Sequence, residues 1–214
     1  DIAGAVAGEG ASALSQAELE HQTVGCPAPD PHQPDVQTAL VVEGAERHAI
    51  LRRVAAPCRT EDHDLLINVM EGVEDIPGVV MAEGLPWDWE TFPEYLNRLD
   101  SGRRDIDVAA YLPHSPLRVY AMGERGANRE AATDEDLARM RALATEAVEA
   151  GALGFATSRL SIHKTADGGS IPSFETDVKE LSEICNGLAD AGSGTFQIVL
   201  DAFQGWDKEY PVIE

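Results

Sequence analysis

Three short clusters hold the side chains best suited to chemistry: His114-Ser115, then Ser158-Arg159 with His163, Lys164 and Asp167, then Gln197 with Asp201. Each lies on or just past a short apolar run: DVAAYL (107–112), GFAT (154–157) and TFQIVL (195–200), with Gln197 inside the third. Polar groups just past the carboxyl ends of buried strands are where α/β barrels and open α/β sheets place their chemistry. The chain has no glycine-rich phosphate loop, no G-x-S-x-G elbow and no H-E-x-x-H pair. The residues alone describe an enzyme-like α/β fragment.

A structural reading stands beside each chemical one. His114, flanked by Pro113 and Pro116, is placed to rigidify a turn. Arg159 has acidic partners everywhere in so acidic a chain. Asp201 reads equally as the N-cap of a following helix. Trp87 and Trp89 read as packing anchors rather than ligand stackers.

The elements that would position these residues are legible from pattern. Residues 60–72 (TEDHDLLINVMEG) predict a helix with Thr60 as N-cap, acids in its first turn and an apolar stripe of Leu65, Leu66, Val69 and Met70. Thr91-Phe92-Pro93-Glu94 forms a capping box with proline in the first turn, opening a helix that stops at Ser101-Gly102. Thr133 and Asp136 make a similar box for a helix with Leu137, Met140, Leu143, Ala144, Ala147 and Val148 on one face, and Gly151 closes it. The pattern repeats over residues 175–191, which end in a second Ala-Gly. Helices alternating with short buried strands predict parallel βα units, hence an α/β fold of barrel or doubly wound type. A complete barrel needs about 250 residues, so 214 residues with three or four strands predict part of one.

Composition narrows the function class. Sixteen Lys and Arg against 38 Asp and Glu give a net charge of −22. A field of that sign repels phosphate backbones and anionic lipid, so neither nucleic acid nor a membrane surface is an expected partner. Its main reading is solubility or salt adaptation, with attraction of a cationic partner as the other. Three cysteines, Cys26, Cys58 and Cys185, lie far apart without a C-x-x-C pair. That spacing argues against a disulfide framework and predicts a reducing, cytoplasmic location. No apolar run approaches the roughly 18 residues of a membrane span, and the N-terminus lacks a basic signal-peptide start.

Residues 1–55 follow a different rule from the rest. A weak helix is predicted near 11–20, then prolines at 27, 29, 31 and 34 forbid regular structure. His21, Cys26 and His32 match no metal-site spacing. The segment is expected to be a separate, disordered or out-of-frame stretch. If residues 50–54 are encoded ATC CTG CGG CGT GTC, a one-base shift reads Ser-Cys-Gly-Val.

From about residue 56 the wording of the chain resembles the N-acyl-D-amino-acid deacylases, the D-aminoacylase-like members of the metal-dependent amidohydrolase superfamily. The resemblance runs through NVMEGVEDIPG (68–78), EGLPWDWETFPEYLNRLD (83–100), residues 107–159 and HKTADG (163–168). LPHSPLR (112–118) is similar to the family's V-G-H-[GS]-x-L-R, and residues 151–158 to its G-A-x-G-x-S-T-G. The resemblance implies a partial (β/α)8 TIM barrel of amidohydrolase type over residues 56–214. It also implies zinc, which lowers the pKa of a bound water and polarises the amide of an N-acyl-D-amino acid or related small molecule. His114, Ser158, Arg159 and His163 would then face the substrate, and Asp201 is the candidate metal ligand; no catalytic residue is assigned.

The chain also departs from the family. Its early His-x-His or His-x-Asp pair and its Asn-Cys-Gly segment are missing, and Cys58, in Ala-Pro-Cys-Arg, is displaced from the latter. Val199 occupies the position of the family's strand-borne ligand histidine. The leading expectation is therefore an amidohydrolase fragment, inactive as it stands. The alternative is a non-catalytic α/β binding protein derived from the same fold.

Overall fold

The computed structural model describes residues 57–101, 107–201 and 205–212, all within the unit Val41–Glu214. The expectations for residues 1–55, including the weak helix, the proline loop and the shifted frame, lie outside the described residues. A 3-10 turn (Thr60–Asp62) leads into α1 (His63–Glu74), followed by α2 (Gly78–Gly84) and α3 (Phe92–Asp100). Strand β1 (Leu112–Pro113) runs straight into α4 (His114–Met122), then α5 (Glu124–Ala127) and α6 (Asp134–Glu149). Strand β2 (Gly154–Ser158), α7 (Val178–Asp190), β3 (Thr195–Val199) and the short α8 (Trp206–Glu209) complete the order.

The three strands are parallel and lie in chain order, β1-β2-β3. This is the predicted βα arrangement, and among the described residues it is a small parallel sheet that does not close into a barrel. Both predicted capping boxes are present, Thr91 with Glu94 and Thr133 with Asp136. In each, the threonine hydroxyl accepts the N3 amide while the N3 carboxylate accepts the cap amide, so two orphan donors are satisfied reciprocally.

Other boundaries differ, each for a local reason. Thr60 does not cap α1: it lies inside the 3-10 turn, and the helix begins three residues later. α1 also runs past Gly72 to Glu74 and stops where Asp75 turns left-handed at φ 55°. Glu175, at φ 55°, keeps the third long helix from starting before Asp177, whose side chain accepts the Lys179 amide. Only Leu112 of DVAAYL pairs as strand, and β1 ends at Pro113, which has no N–H to extend a ladder and is followed at once by helix. The sequence reading missed α4; Pro116 sits in its first turn, where proline costs no intrahelical bond.

The core packs the sheet against helices α6 and α7 and continues into α1–α4. Phe155, Met140, Ile184 and Ala144 are fully enclosed, and Phe155 stacks on Phe196 with ring centroids 5.6 Å apart. The helices approach closely because Gly187 faces α6: a Cβ there would stand 2.4 Å from the Arg141 carbonyl oxygen. Thr145 uses the same gap to donate its hydroxyl to the Gly187 carbonyl at 3.0 Å. No described helix is long and apolar enough to cross a membrane.

A second close approach bears on the loop after β2. Gly72 packs on that loop so tightly that a Cβ would fall 2.1 Å from the Lys164 carbonyl oxygen. One turn earlier, the Asn68 carbonyl accepts the Ala166 amide at 2.9 Å. Alanine for glycine in a helix interior ordinarily stabilises by about 0.5–1 kcal/mol. Here the sign should reverse: Gly72→Ala is expected to destabilise by about 1–3 kcal/mol through overpacking against backbone. Urea unfolding followed by circular dichroism checks this, and a stabilised variant would show that the loop is not pinned to α1.

Candidate functional site

The carboxyl ends of β1 and β2 are tied by buried polar groups. His114, the first residue of α4, is 1% exposed. Its Nδ1 lies 2.8 Å from Thr157 Oγ1 on β2, and its Nε2 lies 2.7 Å from Glu180 Oε1 on α7. Arg118, one turn along α4, donates Nη1 to Glu180 Oε1 at 2.5 Å and also to Oε2. Its Nη2 donates to the Glu130 carbonyl at 2.6 Å. The His114 and Phe155 rings meet in a T-shaped pair with centroids 5.1 Å apart.

The charge states follow from these neighbours. Burial pushes the Glu180 carboxyl upward, but the His114 hydrogen bond and the Arg118 charge outweigh it and hold the group below the ordinary carboxylate range. Burial lowers His114, the Glu180 hydrogen bond opposes that, and the net shift is downward. A neutral imidazole that donates from Nε2 to Glu180 and accepts the Thr157 hydroxyl at Nδ1 fits both shifts. His114 therefore faces the interior as a structural link rather than an open mouth.

Ser158 ends β2, and its Oγ lies 2.9 Å from His163 Nδ1. The Leu160 amide donates to the same Oγ at 3.3 Å, and the His163 amide donates to the Leu160 carbonyl at 3.2 Å. A serine relay fixes the strand end: Ser115 donates to Ser173 Oγ at 2.9 Å, and Ser173 donates to the Ser158 carbonyl at 2.8 Å. Arg159 is 6% exposed and forks onto Glu209, with Nε 2.8 Å from Oε2 and Nη2 3.3 Å from Oε1. Its Nη1 donates to the Thr176 carbonyl at 3.0 Å. Of the predicted substrate-facing residues, the fold brings Ser158 and His163 together and commits His114 and Arg159 to internal partners.

Lys164 remains exposed, 3.4 Å from Ser170 Oγ. Asp167 closes its own turn by accepting the Thr165 hydroxyl and the Gly169 amide, which hold its carboxyl below the usual range. Gln197 and Val199 are exposed on β3. A cavity of about 260 Å³ lies apart from Ser158, beside Arg118 and Glu180, and is lined also by Arg129, Phe174 and Lys179.

Asp201, the candidate metal ligand, is 1% exposed and accepts the Ser161 amide at 2.8 Å. Among the described residues no three His, Cys, Asp or Glu side chains stand together in a way that could hold a metal ion. Cys58 is buried, and burial with nearby Asp62 pushes its thiol up to about 12, so it stays protonated at neutral pH. These residues do not fit a zinc site by themselves.

Sequence reading overlooked Thr157, Arg118, Glu180 and Glu209. Two carried a signal. Glu180 shares the buried face of α7 with Ile184 and Leu188 at four-residue spacing, where a charge needs a partner. Arg118 follows His114 by one helical turn.

Comparison with known proteins adds to this geometry. The model of the amidohydrolase family matches residues 38–214, a span that begins ahead of the motifs read from the sequence. A D-aminoacylase from Alcaligenes xylosoxydans xylosoxydans is 31% identical over 113 residues, 53% of this chain and 21% of the relative. An N-acyl-D-aspartate deacylase from the same organism is 40% identical over 67 residues, 31% of this chain and 13% of the relative. The chain thus spans under a quarter of the length of these relatives. No solved structure matches.

The buried link sets an expectation for stability. Glu180→Ala leaves the Arg118 guanidinium buried without its carboxylate and should cost about 3–5 kcal/mol, whereas Glu180→Gln should cost less. Native His114 resists a proton that the unfolded chain accepts, so stability is full above about pH 6.5 and falls below it. A further loss follows below the ordinary glutamate range, where unfolded Glu180 takes up a proton while the native group resists it. Denaturant unfolding as a function of pH measures both, and His114→Gln should remove the upper limb.

Proposed function

The chain belongs to the amidohydrolase family, and on that premise we propose that it is part of an enzyme hydrolysing the amide of N-acyl-D-amino acids or a related small amide. The observation that carries this reading is the placement of Ser158 and His163 at the carboxyl end of the central parallel strand, where α/β enzymes assemble their sites. The names of the two relatives supply the substrate class.

In this reading Ser158 and His163 meet the substrate, with Lys164 offering the exposed cation for its carboxylate. His114 and Arg159 hold the floor beneath them through Glu180 and Glu209. Zinc, implied by the resemblance, would polarise the amide and activate water; its ligands would come from outside the described residues. A non-catalytic binding protein is the second reading, and exposed Val199 at the ligand-histidine position favours it.

The 214-residue chain is expected to release little or no D-amino acid from N-acetyl-D-amino acids, with or without added zinc, when release is followed by coupled D-amino-acid oxidation. Robust zinc-dependent release would overturn the expected inactivity. A full-length parent containing this segment should hold about one or two zinc ions and turn substrate over. A parent that binds the substrate without metal or turnover would support the second reading.

A further inference from the structure

The Ser158–His163 pair has a geometry that substrate holding alone does not require. Ser158 Oγ receives the Leu160 amide at 3.3 Å and lies 2.9 Å from His163 Nδ1. In the tautomer protonated on Nε2, the serine O–H donates to Nδ1, so the hydroxyl proton already points at a base. The amide on Oγ favours negative charge there as that proton leaves. Both residues are only partly buried, so a reagent can reach them, unlike the enclosed His114.

The pair is also pre-positioned. Ser158 is held by the β2 ladder and by Ser173 on its carbonyl. The His163 end of the loop is fixed by the Ala166 amide on Asn68 and by the close approach of Gly72. Fixed hydrogen-bonded groups lose little freedom when a reacting atom arrives.

We propose that Ser158 is a nucleophile activated by His163 as general base, able to accept an acyl group from a small activated ester or amide. His163 Nδ1 takes the hydroxyl proton as the Oγ–carbon bond forms. The bond to the leaving alcohol or amine breaks, and His163 returns the proton to that group. Water then reverses the sequence: its proton goes to His163, its hydroxide joins the acyl carbon, the Oγ–carbon bond breaks as His163 returns the proton to Ser158 Oγ, and the carboxylic acid leaves. The proposal goes beyond amide hydrolysis assisted by a metal and needs no metal.

Diisopropyl fluorophosphate is the test, because it forms a stable Oγ–phosphorus bond with loss of fluoride and requires no acyl pocket. Mass spectrometry of peptides from the treated 214-residue chain should find one dominant adduct, on Ser158. His163→Ala should slow that labelling by at least about tenfold, about 1.4 kcal/mol of activation, and Ser158→Ala should abolish it. Circular dichroism and thermal melts of both variants establish that they stay folded; if His163→Ala does not, His163→Gln takes its place. No adduct on Ser158, adducts spread evenly over other serines, or equal labelling in the folded His163 variant would overturn the proposal. Failure here leaves the amide-hydrolase reading standing, since that reading is tested by turnover of N-acyl substrates in the parent.

Discussion

A buried carboxylate shared by an arginine and a histidine is the constraint on which the rest of this fold depends. Glu180 is 3% exposed, Arg118 2% and His114 1%. Removing such charges from water costs several kcal/mol per ion, and the loss is offset only when geometry and hydrogen bonding are nearly complete. Here Glu180 accepts from two partners, and Arg118 spends its second Nη on a backbone carbonyl. Within this network Arg118 Nε is buried without a hydrogen-bond partner. The arrangement specifies as well as stabilises, because α4, β2, α7 and the loop before α6 must all be in register for it to close. A hydrophobic core tolerates small slips that this network does not.

The same logic extends outward to the strand ends. Arg159 is a second buried cation, and its partner Glu209 comes from beyond β3. Ser115, Ser173 and Ser158 pass hydrogen bonds from the end of β1 to the end of β2. Glycines set the approach distances: at Gly154 a Cβ would lie 2.0 Å from the Thr195 carbonyl oxygen, and its φ of 144° suits glycine in any case. Backbone contact at Gly72 fixes the loop that bears His163. The exposed side chains of the loop thus rest on groups with little freedom to adjust.

Local signals were legible and long-range ones were not. Capping boxes at Thr91 and Thr133 and the apolar faces of α6 and α7 depend on residues within a turn or two, so pattern alone placed them. The parallel order followed from alternation of helix and strand. By contrast, His114 meets Thr157 and Glu180 across 43 and 66 positions, and Arg159 meets Glu209 across 50. A motif shows which residues are polar but not which partners consume them. That is why His114 and Arg159 read as substrate contacts in the sequence and as internal ties in the structure. The short helix α4 was hidden by prolines that read as a turn but that tolerate a first helical turn equally well.

The fate of the two arginines bears on how a carboxylated substrate could be held. A guanidinium matches a carboxylate in a bidentate fork, which makes Arg159 attractive as an anchor. Its fork is already filled by Glu209, and exchange would leave the Glu209 carboxylate, itself 4% exposed, buried and unpaired. A buried charge stripped of its partner costs about 3–5 kcal/mol, comparable to what a single new ion pair returns. Anchoring through exposed Lys164 and the Ser158–His163 pair carries no such penalty. In a chain at −22, the buried cations serve the fold, and in the proposed reading recognition of an anion would fall to the partly exposed groups at the carboxyl end of β2.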